Sequence, residues 1–260
     1  MEVVGIGVGV TQGDVLFDPA LQIEDAEVEA EGAALSYVSA FRLGGKLARF
    51  DAVLPWQHTR YTGLLAGEPA TTGRVGLADP MFRLSVILGG AQPDPAASSQ
   101  TVFGAAIAVV APFGEYDSNR LINLGQNRWI FRPQIGFVHM RGRWSYELTA
   151  SAYFFTDNDD FYGNTTREQD PLFAMQAHII YALPRPGHWL SVSAGLGGYG
   201  RSIISGNRID DEMRQSLGSL SWGIPLTLNQ SLKLAYIRSR TNTSRGSDTD
   251  TLAIAWSRRF

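Results

Sequence analysis

Residues 144–155, WSYELTASAYFF, alternate apolar and polar side chains with a period of two. This alternation is typical of a β-strand that has one apolar and one polar face. No segment of the chain repeats its apolar residues with the 3.6-residue period of a helix. Comparable alternating segments predict about twelve strands, near residues 3–12, 32–43, 46–60, 79–89, 100–112, 128–140, 143–156, 172–183, 188–200, 217–227, 230–240 and 250–260.

The connections between these strands alternate in length. Short turns are predicted at 43–46, 141–143, 183–187 and 227–230, with one longer turn at the same end, 89–99. Long connections are predicted at 11–30, 61–79, 113–127, 156–170, 201–215 and 240–249. Outer-membrane barrels have short periplasmic turns and longer external loops, whereas a soluble β-sandwich has no reason to sort its loops by length. We therefore predict one all-β domain over residues 1–260, a transmembrane antiparallel up-and-down β-barrel.

The alternation also predicts which side chains face lipid and which face the lumen. The lipid-facing sets are Phe82/Leu84/Val86/Leu88, Ala177/Ile179/Tyr181, Leu190/Val192/Ala194/Leu196, Leu220/Trp222/Ile224/Leu226 and Leu252/Ile254/Trp256. A charge on the lipid face near mid-membrane costs about 2–4 kcal/mol, so charges are expected on the other face. The predicted lumen-lining residues are Arg49, Asp51, Arg83, Arg132, Gln134, Glu147, Gln176, His178 and Lys233.

The lumen charges allow two interpretations. Three arginines and the carboxylates Asp51 and Glu147 either set up a transverse field that orients a solute or form an internal salt-bridge network that holds the barrel rigid. Aromatic residues near the strand ends, Trp144, Trp189 and Phe260, are predicted to form an interfacial girdle beside the periplasmic turns.

Composition excludes several classes of function. The net charge of -3 and the isoelectric point near 5.8 give no basic surface for nucleic acid. The absence of cysteine excludes thiolate catalysis and cysteine-ligated metals. Four histidines occur, but no local serine motif accompanies them, so we expect neither an enzyme nor a cofactor.

One acidic segment approaches the spacing of a calcium loop. Asp157, Asp159 and Glu168 fall at its first, third and twelfth positions, but Phe161 and Tyr162 replace a ligand and the required glycine. No metal site is therefore predicted, and loose divalent binding at the lipopolysaccharide surface stays open.

Both chain ends suit an outer-membrane protein. The chain opens on strand-like sequence without a Lys/Arg-led signal peptide, which suits a mature, exported form and would equally suit a cytoplasmic protein. The last residues, TLAIAWSRRF, resemble the terminal strand by which bacterial outer-membrane proteins are recognised for assembly, and they end on Phe260. The expected location is the bacterial outer membrane, and the expected partners are lipid, lipopolysaccharide, the assembly machinery and a small-molecule solute.

The segment APFGEYDSNRLINLGQNRWIFRPQIGF, residues 111–137, resembles the signature of a bacterial family named for the meta-pathway of phenol degradation and described as outer-membrane transporters. Further matching pieces are GDVLFDPALQIEDAE (13–27), LADPMFRLSV (77–86) and SYELTASAYFFTDNDDFYG (145–163). The resemblance implies uptake of aromatic or otherwise hydrophobic small molecules. Within the signature, five polar residues either fold the external loop inward as a constriction or bind ligand: Asp117, Arg120, Asn123, Asn127 and Arg128.

These observations predict a monomeric outer-membrane channel for the passive passage of small hydrophobic or aromatic molecules. Two alternatives remain open, namely a structural or interaction barrel with a plugged lumen and, less favoured, a lipase-like hydrolase. A twelve-stranded barrel encloses less space than the larger aqueous porins, so inward side chains and loops strongly affect whether its lumen is open.

Overall fold

The structure is a computed structural model that describes residues 1–16, 23–90, 98–243 and 245–260. In this part of the chain no helix is long and apolar enough to cross a membrane. The described residues form seventeen strands: β1 Glu2–Leu16, β2 Ile23–Leu43, β3 Lys46–Leu65, β4 Glu68–Leu77, β5 Met81–Gly90, β6 Ser99–Val110, β7 Ile130–Arg141, β8 Trp144–Phe155, β9 Asn158–Phe161, β10 Thr165–Gln169, β11 Leu172–Ala182, β12 Trp189–Tyr199, β13 Ser202–Ile204, β14 Asn207–Arg208, β15 Met213–Pro225, β16 Gln230–Thr241 and β17 Gly246–Arg259.

Twelve of these strands close into an antiparallel barrel. The order is β2-β1-β17-β16-β15-β12-β11-β8-β7-β6-β5-β3, and pairing between β2 and β3 closes the ring. The predicted barrel and its twelve strands are confirmed. Two of the strands are longer than predicted, with 21 residues in β2 and 20 in β3. A tilted span needs only about 9–11 residues, so these two strands continue beyond the membrane on the external side.

Five short strands lie in connections that were predicted as loops, and there the prediction was wrong. The connection at 61–79 is a hairpin, since β4 pairs with the external part of β3 around a turn at Ala66 and Gly67. Both turn residues have positive φ, 52° and 82°, as a tight hairpin turn requires. Strands β9, β10, β13 and β14 form a second sheet within the connections at 156–170 and 201–215. These pairings provide hydrogen-bond partners for backbone N–H and C=O groups outside the barrel wall. The predicted turn at 89–99 lies largely outside the described residues.

The outer face of the barrel carries the predicted apolar sets. Large side chains stay exposed in every set, for example Leu196 at 66%, Leu252 at 61% and Leu220 at 56%. Because successive residues of a strand point to opposite faces, the residues between them face the lumen. Trp144 lies on the outer face beside Tyr181, with their ring centres 4.5 Å apart.

Trp189 does not join this outer girdle. It shares the inner face with Ser191 and lies over Gly223 of β15, where an added Cβ would come within 2.1 Å of the indole ring. Glycine at 223 is therefore what lets the indole lie flat against the wall. The girdle prediction for Trp189 was wrong because a strand end sets the height of a side chain but not its face.

The inner wall is asymmetric in side-chain size. Along β1, β2, β12, β15, β16 and β17 the inward positions in register carry mostly glycine, alanine and serine: Gly5, Gly7, Gly9, Gly32, Ala34, Ser191, Ser193, Ser219, Ser221, Ala235, Ala253 and Ala255. The remaining wall, from β3 through β11, carries the larger polar residues. The side chains on this half of the wall therefore extend least into the lumen.

Candidate functional site

The nine residues predicted to line the lumen all lie on the inner face of the barrel strands. Arg83 of β5 is in register with Asp51 on one side and with Ala108 on the other, and Ala108 is in register with Arg132. Arg49 is two residues from Asp51 on β3 and so faces the same way. These four polar side chains form one band across β3, β5 and β7.

Within this band Asp51 is the centre of an ion-pair network. Its carboxylate is 5% exposed and accepts hydrogen bonds from Arg49 Nε at 2.8 Å and from Arg83 Nε at 3.2 Å. Arg83 Nη2 lies 3.2 Å from the second carboxylate oxygen. These three residues therefore adopt the arrangement of an internal salt-bridge network. Whether they also orient a solute stays a prediction.

Arg132 takes no part in this network. Its guanidinium carbon lies 4.9 Å from the ring centre of Tyr153. With the Gln134 amide oriented to accept, Arg132 Nη2 donates to it at 2.9 Å. The band thus has one carboxylate for three guanidinium groups, which leaves a net cationic surface on this part of the lumen wall.

The other four predicted residues lie further from the band. Glu147 and His178 are register partners on β8 and β11, nearer the periplasmic end. His178 Nδ1 lies 2.7 Å from Ser193 Oγ. Gln176 is in register with Gly195 of β12, and Lys233 of β16 is in register with Gly223 of β15. The nine residues therefore do not form a single cluster, and their role in solute passage stays a prediction.

Three of the five loop candidates bond mainly to each other. Arg120 Nε lies 3.0 Å from a carboxylate oxygen of Asp117. The Asn123 amide accepts from the Asp117 backbone N–H at 2.9 Å and donates to the Arg120 carbonyl at 2.8 Å. Hydrogen bonds from the Asn119 backbone and side chain hold the pKa of Asp117 below its usual value. This compact turn matches the interpretation in which these residues shape the loop.

The same loop crosses the external mouth between two structured edges. On one side Glu115 N donates to Leu77 O of β4 at 2.8 Å, and Arg74 Nε donates to Ile122 O at 2.7 Å. On the other side Tyr116 donates to the Asp160 carbonyl of β9 at 3.1 Å. Asn127, the fourth candidate, donates to Asn158 Oδ1 at 2.9 Å, and Asn158 is 2% exposed. The loop is thereby fastened on two opposite sides.

Asp79 anchors the base of this loop, and the sequence analysis missed it. Its two carboxylate oxygens accept from Gly114 N at 2.9 Å and from Gln126 N at 2.8 Å. A Cβ at Gly125 would meet Asp79 Oδ1 at 2.9 Å, and one at Gly114 would meet Asp79 N at 2.7 Å. The only signal was its place in LADPMFRLSV, one of the segments that carried the family resemblance.

Replacing Asp79 with alanine is expected to release the loop. Both ends of residues 114–126 lose a charge-assisted hydrogen bond, each contributing about 1.5–3 kcal/mol. We expect faster amide hydrogen exchange and faster limited proteolysis within 113–128, while β7 and β8 exchange as in the wild type. Asp160→Ala is the control, because only the backbone carbonyl of Asp160 contacts the loop. Unchanged exchange in Asp79→Ala would refute the anchoring role.

A cavity of about 470 Å³ lies at the external end of the lumen, under this loop. Arg128, the fifth loop candidate, borders it and is 3% exposed. Its Nη2 donates to Gln126 Oε1 at 3.0 Å and also contacts Gln169. Its guanidinium carbon lies 4.5 Å from the ring centre of Phe155. Asn123 also borders this cavity, so two of the five loop candidates line it, and Arg128 bonds there to glutamine side chains rather than to the other candidates.

The acidic segment 157–168 folds as the β9–β10 hairpin, with a register shift between Thr165 and Arg167. Within the described ranges no three His, Asp or Glu side chains are placed to hold a metal ion. Loose divalent binding at this segment, which the sequence left open, is not tested by this geometry.

Solved structures similar to this chain are outer-membrane barrels. An outer membrane channel from Pseudomonas putida F1 has a TM-score of 0.80 at 21% identity, covering 100% of this chain and 95% of that chain. The transport unit of the autotransporter AIDA-I from Escherichia coli has a TM-score of 0.55 at 9% identity, with 100% and 90% covered. The CymD monoaromatic hydrocarbon channel has a TM-score of 0.50 at 7% identity, with 100% and 88% covered. At these identities the likeness shows the fold.

Sequence comparison adds the family. The search of curated proteins returned no match to this chain. The model of a family described as "MetA-pathway of phenol degradation" matches residues 12–248. This match runs from within β1 to the start of β17, including the loop across the mouth, and it confirms the resemblance seen in residues 111–137. The chain belongs to the family of the MetA-pathway of phenol degradation.

Proposed function

We propose that this protein is an outer-membrane channel for the passive passage of small hydrophobic or aromatic molecules. The observation that carries the proposal is the asymmetric inner wall of the closed barrel. Small inward residues on six strands extend little into the lumen, and the polar band that includes Asp51 and Arg132 lies on the rest of the wall. The family description, which refers to phenol degradation, and the structural likeness to a channel named for monoaromatic hydrocarbons support this class of solute.

The geometry suits diffusion down a gradient. A solute would meet the cavity under the loop first and then the face of Tyr153 beside Arg132. Aromatic faces and guanidinium groups attract aromatic rings without holding them tightly, so a solute can both enter and leave. This path requires neither a cofactor nor an energy source.

The barrel is proposed to act as a monomer in lipid and lipopolysaccharide. Its last strand, β17, pairs with β1 along its whole length and is followed by Phe260, which is 67% exposed. Because most of Phe260 is exposed, we propose that the assembly machinery recognises this strand end.

A hydrolase is the weaker alternative, and one contact favours it. His178 Nδ1 lies 2.7 Å from Ser193 Oγ, and Glu147 is the register partner of His178 on the other side. Catalysis would require the carboxylate to orient the imidazole and donors to stabilise an oxyanion. In the described part of the chain Glu147 forms no ion pair or hydrogen bond with His178. We therefore propose that the protein is not an enzyme. Ester turnover that Ser193→Ala abolishes would support the alternative.

Filling the half of the wall that bears small residues is expected to block passage. Ala235 is on the inner face of β16, in register with Ser221 and Ala253, whereas the adjacent Leu234 points outward. Ala235→Trp should lower both single-channel conductance and release of L-phenylalanine from liposomes about tenfold or more, and Leu234→Trp should leave both near the wild-type level. L-phenylalanine is an aromatic solute whose charges prevent it from crossing lipid unaided.

Two outcomes would contradict the channel. One is a wild-type protein, folded by circular dichroism, that seals planar bilayers and liposomes to ions and phenylalanine. The other is equal flux through the Ala235→Trp and Leu234→Trp variants. A tight wild-type seal would favour a plugged structural or interaction barrel.

A further inference from the structure

Two cationic side chains line the cavity under the external loop. Arg128 enters from the loop before β7, and Arg167 enters from β10. The Arg167 guanidinium donates to Ser202 Oγ from Nε at 3.2 Å and from Nη2 at 3.0 Å, and Ser202 is 2% exposed. The two arginines come from segments almost forty residues apart in the chain, so only the folded external region brings them to one cavity.

Neither guanidinium forms an ion pair in the described part of the chain, and the carboxylates that act on them, Asp157 on Arg128 and Asp211 on Arg167, do so from beyond ion-pair distance. Among the ion pairs found in the described ranges, which extend to 4.0 Å, none includes Arg128 or Arg167. Their hydrogen-bond acceptors are neutral, namely the side chains of Gln126, Gln169 and Ser202. A buried charge without a counter-charge is unfavourable, and an anion bound beside it removes that penalty.

Arg128 also has an unused donor. Its Nη1 is buried and has no hydrogen-bond partner in the described part of the chain. Burial and the neighbouring charge of Arg167 lower the pKa of Arg128 to about 9, so the guanidinium is still cationic at neutral pH. Burial likewise lowers the pKa of Arg167, and the more distant Asp211 opposes that shift. The cavity is therefore a cationic pocket with unsatisfied donor capacity.

Four aromatic side chains also line the cavity, beside aliphatic and amide residues. Tyr116 comes from the loop, Tyr153 and Phe155 from β8, and Phe161 from β9. Phe155 and Phe161 already lie under the guanidinium groups, at 4.5 Å from Arg128 and 5.4 Å from Arg167. A volume of about 470 Å³ is in the range of small-molecule sites and accommodates one substituted ring.

We propose that this cavity binds the carboxylate form of a small aromatic acid, with the carboxylate at Arg128 and Arg167 and the ring against the aromatic walls. The proposal deepens the proposed function and rests on it, because the cavity is the external entrance to the lumen. Arg132 lies two residues into β7 from the cavity wall at Ile130 and faces the same way, so it offers the next cation along the path.

Isothermal titration of the purified full chain in detergent tests this proposal. The probes are sodium benzoate, benzyl alcohol, benzylamine and sodium acetate, and they vary charge and ring independently. Benzoate is expected to bind saturably, with each of the other three at least about tenfold weaker, as the loss of a charge-assisted contact implies. Arg128→Gln and Arg167→Gln are each expected to weaken benzoate about tenfold or more, and Arg128→Lys is expected to recover part of the loss.

The matched control is Arg214→Gln. Arg214 lies on the outer face of β15, between Met213 and Gln215, which line the cavity. The Arg214→Gln variant is therefore expected to bind benzoate as the wild type does. Folding of each variant is checked by far-UV circular dichroism and heat-modifiable gel migration. If Arg128→Gln fails to fold, Arg167→Gln answers the same question.

The proposal is overturned if wild-type protein binds benzoate no better than benzyl alcohol, or if both glutamine variants bind it like the wild type. These results are independent of the channel assay. Phenylalanine flux without benzoate selectivity would refute this site and leave the channel intact. Selective benzoate binding by a barrel that is sealed to ions and phenylalanine would support the binding site and refute the channel.

Discussion

Arginine in place of Ala150 is expected to prevent stable insertion of the barrel. Ala150 is at the middle of β8 on the outer face, in register with Ile135 and Met175, which are 67% and 54% exposed. An arginine near the bilayer midplane on this face costs about 2–4 kcal/mol. Because barrel closure is cooperative, this cost falls on the whole fold. The measurement is the denaturant midpoint of folding into lipid vesicles, with folded fraction read from heat-modifiable gel migration.

Thr149→Arg is the matched control for this prediction. Thr149 is the preceding residue on the same strand, but it faces the lumen and is in register with Gly136 and Gln176. An arginine there can extend into the lumen toward Glu147, so we expect a midpoint within the error of the wild type. Equal destabilisation by the two substitutions would show that the assignment of the two faces is wrong.

Asp51→Ala is expected to destabilise the barrel and to disorder the polar band. The substitution removes the one carboxylate that accepts hydrogen bonds from both Arg49 and Arg83. Two guanidinium groups then face each other across adjacent strands without a counter-charge. Because both arginines stay partly exposed to the lumen, water compensates in part, and we expect a loss of about 1–3 kcal/mol. The denaturant midpoint in vesicles measures this loss. The Asp51→Asn variant removes the negative charge but keeps the size of the side chain, so it shows how much of the loss is due to charge.

Glu147→Ala is the control for the network. Glu147 is also a carboxylate on the inner face, but it forms none of the ion pairs found in the described part of the chain. Its removal is expected to change stability by less than about 0.5 kcal/mol. A loss for Glu147→Ala equal to that for Asp51→Ala would mean that the network contributes no specific stability.

The inner face of the predicted lumen residues could be predicted because a charged side chain on the lipid-facing side has a high free-energy cost. Arg83 and Lys233 follow the alternation of their strands, so their face could be read without knowing any neighbour. Which charges meet was not predictable. Asp51 reaches Arg83, 32 positions along the chain, and Arg132 reaches Tyr153 only because the strands pair in one register.

The external region was the least predictable part. Its strands, such as β4 and β9, lie outside the lipid. There both faces of a strand can carry polar residues, so the sequence need not alternate apolar and polar side chains. Asp79 and Arg167 owe their positions to contacts between external segments that are far apart in the chain. A local pattern carries no information about such contacts between distant segments.

By itself the sequence determined the fold class, the number of barrel strands and the inner face of the nine predicted lumen residues. These follow from a period of two, because lipid selects apolar side chains on every second residue. Only the tertiary structure decided that Trp189 turns inward, that Asp51 is shared by two arginines, and that Arg128 and Arg167 meet at one cavity. Those arrangements depend on register, closure and loop packing, which are set by contacts between segments far apart in the chain.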